Sequence, residues 1–212
     1  MIISPIEHPP QQQSGFTMME VLVTLVVLLL GLLGLVSLQV RAHQAEMESY
    51  QRAQALVLMQ DMVDRLNSNR KAASCYAVTT ASGTPYLGAT GSGHAGAISC
   101  TATGTSADTM AVSSVDAWDT ALTGASEKDS GGSAIGVMLG ARGCIGRDAD
   151  ANSTFTYTVA VAWQGLANTV APSVPAASPA GMTAAVACGQ GLYGNEARRR
   201  IVWTTVTIAN LN

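Results

Sequence analysis

The chain has 212 residues and a net charge of −3, with 12% charged and 48% hydrophobic residues. This balance excludes an intrinsically disordered chain, and the small negative charge gives no general attraction to nucleic acid. Because aromatic residues make up only 5% of the chain, the core must rest on aliphatic side chains, and such a core benefits from covalent cross-links.

The first predicted element is an apolar helix that follows the leader MIISPIEHPPQQQSG. Residues 21–40 contain no formally charged side chain, and a helix of this length spans roughly 30 Å, the thickness of the hydrocarbon core of a bilayer. Its polar side chains before Gln39 are Thr24 and Ser37, which can bond to their own helix. No small-residue cleavage site follows Leu38, so the segment is predicted to be a transmembrane helix and not a removable secretory signal.

The helical pattern continues beyond the apolar run. Leu56, Met59, Val63 and Leu66 recur at spacings of three and four residues, which predicts one apolar stripe. No proline interrupts residues 16–70. The sequence therefore predicts a single helix of about 50 residues, roughly 75–80 Å long, whose second half carries a domain.

A carboxylate, Glu20, stands at the beginning of this helix. A charged side chain costs about 3 kcal/mol at the centre of a membrane helix, less near its end, and it usually needs a partner. No Lys or Arg precedes Arg41. Cleavage between Gly15 and Phe16 would create an α-amino group able to neutralise Glu20 of the same chain or of an adjacent subunit.

The stretch GFTMMEVLV, together with the aliphatic helix after it, resembles the N-terminal signature of type IV pilins and pseudopilins. The resemblance implies that a prepilin peptidase cuts after Gly15 and that the new terminal residue, Phe16, is N-methylated. It also implies that Glu20 guides docking into the growing filament. The fold implied is a pilin-like α+β fold, with a long N-terminal helix packed on a small antiparallel sheet.

The segment Gly-Leu-Leu-Gly-Leu and the helix ending DMVDRLNSNR resemble those of PilV-type minor pilins. The implied organisation is a cytoplasmic leader (1–15), a transmembrane half of the helix (16–40), an amphipathic half (41–72) and a periplasmic α+β domain (73–212). The I-type pseudopilins of type II secretion share much of this helix, and they remain an alternative.

The resemblance implies a structural function. A minor pilin primes or modifies type IV pilus assembly, and with it twitching motility, by packing its helix against other pilins. The implied partners are other minor pilins, the major pilin, the prepilin peptidase and the inner-membrane assembly platform. The protein would cross the bacterial inner membrane once and then enter the pilus or its tip. An alternative from another class is a filament-tip module that binds DNA or a surface.

The domain after the helix is predicted to combine one short helix with three or four antiparallel strands. In SSVDAWDTALTG, Ser113 or Ser114 is the predicted cap of a helix with an apolar stripe of Val115, Trp118 and Leu122. The segments AIGVML, TFTYTVAVAW and RRIVWTTVTIA predict strands. The loop between the last two contains three prolines, and loops of this length are often functional or mobile.

The four cysteines, Cys75, Cys100, Cys144 and Cys188, all follow the apolar run, and no two lie within twenty residues of each other. This spacing excludes a CxxC zinc or redox site. If the run crosses the membrane outward, the cysteines lie in an oxidising compartment. We expect disulfides Cys75–Cys100 and Cys144–Cys188, which close the two segments least able to order themselves by apolar burial. Four buried free thiols are the alternative.

The sequence carries no motif for catalysis, a metal or a cofactor. It lacks HExxH, GxxxxGK[ST] and GxSxG, so we expect no enzyme activity, no metal and no cofactor. The scattered histidines His8, His43 and His94 are expected to be solvated.

Three polar segments have a structural and a functional interpretation. GARGCIGRDADA, which includes Asp148 and Asp150, lacks the spaced ligands of a calcium loop and predicts a turn. The run Arg198–Arg200 predicts an exposed strand edge protected by charge and not a DNA-binding patch, because no second basic cluster accompanies it. The NST at Asn152 lies beside a predicted strand, and we interpret it as a chance match to a glycosylation site.

Overall fold

The computed structural model describes residues 15–125, 128–132, 138–149 and 154–209. Its helices are α1 (Met18–Ser68), α2 (Ser106–Leu122), α3 (Ala180–Val186) and two 3-10 helices (Arg70–Tyr76 and Glu196–Arg198). Its strands are β1 (Leu87–Gly88), β2 (Arg142–Ala149), β3 (Thr154–Gln164) and β4 (Arg199–Ala209). The sequence predictions for His8, Asp150, Asn152 and residues 134–137 fall outside the described residues.

The chain divides into two compact units, Met1–Ala45 and Glu46–Asn212, and the boundary lies inside α1. In the first unit, residues 15–45 are exposed along their whole length. Within the described part of the chain, α1 is the one helix that is long and apolar enough to cross a membrane. The predicted single helix is therefore confirmed, and its first half presents an aliphatic surface that is unfavourable in water.

The second unit is built on a four-stranded antiparallel sheet in the order β1-β2-β3-β4. Successive side chains of a strand point to opposite faces, and β3, one of the predicted strands, follows this rule. Tyr157, Val159 and Val161 belong to one core, whereas Ala160 and Ala162 belong to a second, smaller core. The predicted α+β class is confirmed.

The second half of α1 and the helix α2 contribute to the larger core. Met62 and Leu66 of α1 are fully buried together with Val115 and Trp118 of α2. The indole N–H of Trp118 also donates a hydrogen bond of 2.8 Å to the carbonyl oxygen of Leu58. One aromatic side chain therefore fills the core and joins the two helices.

The helix α3 packs against β2, on the side of the smaller core. A Cβ at Gly146 would overlap the carbonyl group of Gly181, so the strand and the helix are in backbone contact. The carboxylate of Asp148 accepts hydrogen bonds from the amides of Gly181 and Met182 at 2.6 and 2.9 Å. Asp148 of β2 thus caps α3 from another element, because the residue before the helix, Pro179, makes no side-chain cap.

The helix α2 begins earlier than the sequence analysis predicted. Its cap is Thr105, whose hydroxyl accepts a hydrogen bond from the amide of Ala107, so the predicted caps Ser113 and Ser114 were wrong. The predicted stripe is confirmed, because all three of its side chains are buried. The helix also includes the small residues that precede this stripe, since one of them, Ala111, is fully buried in the same core.

The strand β2 was missed, because GARGCIGRDADA predicted a turn. Two glycines weaken the strand signal of this segment in the sequence, and each allows a close contact that any side chain would block. A Cβ at Gly143 would overlap the ring of Trp118, and Gly146 allows the contact with α3. The predicted strand AIGVML is not supported where it is described, since Met138 and Leu139 lie outside the strands.

Candidate functional site

The beginning of α1 contains the residues predicted for processing and docking. Gly15 and Phe16 precede the helix and are exposed, and Glu20 lies in its first turn. The amide of Glu20 donates to the hydroxyl and the carbonyl oxygen of Thr17 at 3.3 and 3.1 Å. Thr17 therefore caps the helix, and its spacing from Glu20 is that of a capping box, a signal that the sequence analysis missed.

The first half of α1 satisfies its own polar side chains. The hydroxyl of Thr24 donates to the carbonyl oxygen of Val21 at 2.9 Å, and that of Ser37 donates to Gly34 at 2.8 Å. These bonds confirm the predicted internal pairing. In residues 15–40 Glu20 is the one ionisable side chain, and it stands at the positive end of the helix dipole, where a carboxylate is favourable.

The domain contains both predicted disulfides. Cys75 is bonded to Cys100 and Cys144 to Cys188, with Cα–Cα distances of 5.6 and 5.7 Å. Asp108 lies close to the first pair, in a group that could hold a metal by distance alone. Because both sulfur atoms are consumed by the disulfide, this group is not a metal site.

Two protein-family models match consecutive parts of the chain. The model described as the prokaryotic N-terminal methylation motif matches residues 10–36, and the Tt1218-like model, described as type IV pilin Tt1218, matches residues 37–117. The chain belongs to the type IV pilin family. No curated protein and no solved structure shows a significant match to it.

Membership of the family decides several general properties of this pilin. Type IV pilins are structural, non-enzymatic proteins, which confirms that it is not an enzyme. The family implies processing by a prepilin peptidase and partners within a pilus. Its apolar helix is a membrane anchor with the methylation motif, as is typical of inner-membrane prepilins that assemble into pili.

The proline-containing loop after β3 is fastened at its start. An oxygen of Glu48 accepts hydrogen bonds from the amides of Leu166 and Ala167, each at 3.1 Å, and from the guanidinium of Arg200 at 3.2 Å. Arg200 also donates to the carbonyl oxygen of Ala167 at 2.7 Å. The loop that the sequence predicted to be functional or mobile is therefore held against α1 and β4 where it begins.

The basic run Arg198–Arg200 is not the charge-protected strand edge that was predicted. Arg199 is 3% exposed, Arg200 is occupied by Glu48 and the loop, and Arg198 alone is exposed. The carboxylate of Glu196 accepts hydrogen bonds from Gly191 and Arg199 at 2.6 and 2.7 Å. Desolvation raises the pKa of Glu196, but these bonds outweigh it and lower the pKa below its ordinary value of 4.5.

His94 is not simply solvated, so that prediction was also wrong. Its Nε2 lies 3.0 Å from a carboxylate oxygen of Asp119, and the same oxygen accepts a hydrogen bond of 2.6 Å from the amide of Gly88. The side chain of His94 is 19% exposed. Asp119 therefore joins α2, β1 and the loop after it.

Asp108 holds the turn that precedes α2. Its carboxylate accepts hydrogen bonds from the amides of Thr103 and Gly104 and from the hydroxyl of Thr103, at 2.7–3.1 Å. Desolvation raises the pKa of this carboxyl, but the hydrogen bonds outweigh it and hold the pKa below 3.8. The turn is thus fixed beside the first disulfide.

Proposed function

We propose that this pilin is a minor pilin of the PilV type, a structural subunit that primes or modifies type IV pilus assembly. Its leader 1–15 is removed by a prepilin peptidase, and residues 16–40 anchor it in the inner membrane. The amphipathic half 41–72 carries a periplasmic domain, 73–212, and the subunit then enters the filament or its tip. Other minor pilins, the major pilin and the assembly platform are its partners.

The observation that carries this proposal is a carboxylate in the first turn of a helix that is otherwise uncharged as far as residue 40. In low-dielectric surroundings an unpaired carboxylate is costly, so it requires a cation close by. Cleavage after Gly15 supplies one as the α-amino group of Phe16. The helix packing of an adjacent subunit then brings the two charges together, and the pair selects the axial register of docking.

We expect the mature protein to begin at an N-methylated Phe16, because the cut creates the cation that Glu20 lacks. Intact mass spectrometry of the protein from cells with an active prepilin peptidase measures this directly. The matched control is the same strain without the peptidase, in which the leader should be retained. An assembled protein that still carries residues 1–15 would contradict the proposal.

Replacing Glu20 with glutamine should reduce incorporation into sheared filaments by about tenfold or more, because a charge pair worth ~1.4 kcal/mol or more is lost. Membrane insertion should be unchanged or improved, because the costly charge is removed. Thr24→Ala is the control, since it removes a polar group one turn later without changing the charge. Equal recovery of Glu20→Gln and wild-type protein in the filament fraction would show that Glu20 has no docking role.

The PilV-type assignment requires its own experiment, because I-type pseudopilins would share processing and docking. Deleting the protein should lower the amount of surface pili and of twitching motility while leaving secretion through a type II system unchanged. A secretion defect with normal pili would replace the proposal by the pseudopilin alternative.

A further inference from the structure

Among the described residues, the strand β4 forms one edge of the sheet, and no strand pairs with its outer side. It pairs with β3 along its whole length, from Arg199 to Ala209, and its main chain bonds to no other described element. Alternate side chains along the edge, those of Trp203, Thr205 and Thr207, are exposed. A row of free amide and carbonyl groups of this kind is a template for a further strand.

This edge lacks the features that usually prevent pairing. Proteins protect edge strands with charges, prolines, bulges or very short strands. Residues 201–209 contain no charge and no proline, and their register with β3 is continuous. The two arginines at the start of the strand are engaged elsewhere, Arg199 by Glu196 and the carbonyl oxygen of Val186, and Arg200 by Glu48 and the proline-containing loop. The edge is therefore long, regular and neutral.

We propose that this edge pairs with the same edge of a second copy of the chain, in antiparallel orientation, to form one continuous sheet across two subunits. This interaction goes beyond the proposed processing and docking at the helix, and it does not depend on them.

The composition of the edge favours a second copy as its partner. Full antiparallel overlap of residues 201–209 places Thr205 opposite its own counterpart and Trp203 opposite Thr207. Each of these pairs lies on one face of the sheet, and aromatic or β-branched side chains pack well across strands. No charges meet at any position, so two copies do not repel each other. Membrane anchoring also raises their effective concentration.

The test uses the full chain in detergent, with its association measured by sedimentation over a range of protein concentrations. The wild type should form dimers. Thr205→Lys and Thr205→Glu should each raise the dimer dissociation constant by about tenfold or more, because like charges then meet at the two-fold axis. A mixture of the two variants should dimerise again, because opposite charges then meet there.

Ala117→Lys, on the exposed side of α2, is the matched control for an added charge and should leave the dimer unchanged. Cross-linking supplies a second measurement, since a cysteine at Thr205 should couple to its counterpart faster than a cysteine at Ala117. Circular dichroism would verify that the variants fold, as expected for an exposed position. A wild type that stays monomeric, or a dimer that persists in Thr205→Lys without restoration by mixing, would overturn the proposal.

Discussion

Replacing Arg199 with methionine should destabilise the domain by about 3–5 kcal/mol, because it removes a buried cation that pairs with the half-buried Glu196 and donates to several carbonyl groups. The guanidinium donates to Glu196 at 2.7 Å, to the carbonyl oxygen of Val186 at 3.0 Å and to that of Pro172 at 3.2 Å. A more distant bond of 3.4 Å reaches the carbonyl oxygen of Cys188. One side chain therefore joins the proline-containing loop, the end of α3 and the second disulfide.

The effect should be large because methionine would leave several polar groups without a hydrogen-bond donor. Methionine fills much of the volume but donates no hydrogen bond, so the carbonyl groups would stay away from water without partners. The carboxylate of Glu196 would lose its cation as well. Arg199→Lys should cost less than methionine, because it keeps the charge but loses the planar fork that reaches several acceptors.

The neighbouring Arg198 provides the matched control. It is exposed, so Arg198→Met should change the free energy of unfolding by less than about 0.5 kcal/mol. Both variants would be compared by denaturant unfolding of the full chain in detergent, followed by near-ultraviolet circular dichroism. Similar losses at the two positions would show that the basic run acts through its overall charge and not through the contacts of Arg199.

Removing the second disulfide by the double replacement Cys144→Ala and Cys188→Ala should destabilise the domain by about 4 kcal/mol in the chain-entropy model. The bond closes a sequence separation of 44 residues, and both half-cystines are fully buried. It fixes the residues after α3 to β2. Without it, α3 would depend on the backbone contact at Gly146 and on the cap supplied by Asp148.

The first disulfide gives the comparison for this prediction. Replacing Cys75 and Cys100 with alanine opens a shorter separation of 25 residues and should cost about 3.5 kcal/mol or less. Cys100 is also only partly buried, so less packing is lost there. Denaturant unfolding under non-reducing conditions measures both double variants. A larger loss for the first disulfide would contradict the expectation that the bond with the longer separation and the deeper burial stabilises the domain more.

The features that the sequence predicted correctly are those that depend on long, regular patterns. The helix α1 follows from an uncharged aliphatic run joined to a stripe of three- and four-residue spacing, with no proline to interrupt it. The strands β3 and β4 follow from alternation and from β-branched residues, and their ends lie within one residue of the predicted segments. The disulfide pairing followed because each bond closes a segment poor in apolar residues.

The features that the sequence did not reveal depend on contacts between distant segments. The strand β2 contains Gly143 and Gly146, which weaken the strand signal, yet they are required because Trp118 and α3 approach the backbone there. The early start of α2 depends on burial of Ala111, and α3 depends on a cap from Asp148 in another element. No local pattern can encode these partners.

The family, the apolar anchor and the position of Glu20 were recognisable without a structure, because each is a property of consecutive residues in one helix. The contacts of the charged side chains of the domain, in contrast, became apparent only in the folded chain. Arg199 and Arg200 donate hydrogen bonds to acceptors in loops and in α1, and His94 lies within hydrogen-bond distance of Asp119. An ionisable side chain looks the same in a sequence whether it faces water or a buried acceptor. Its role is therefore set by the partners that folding brings within hydrogen-bond distance.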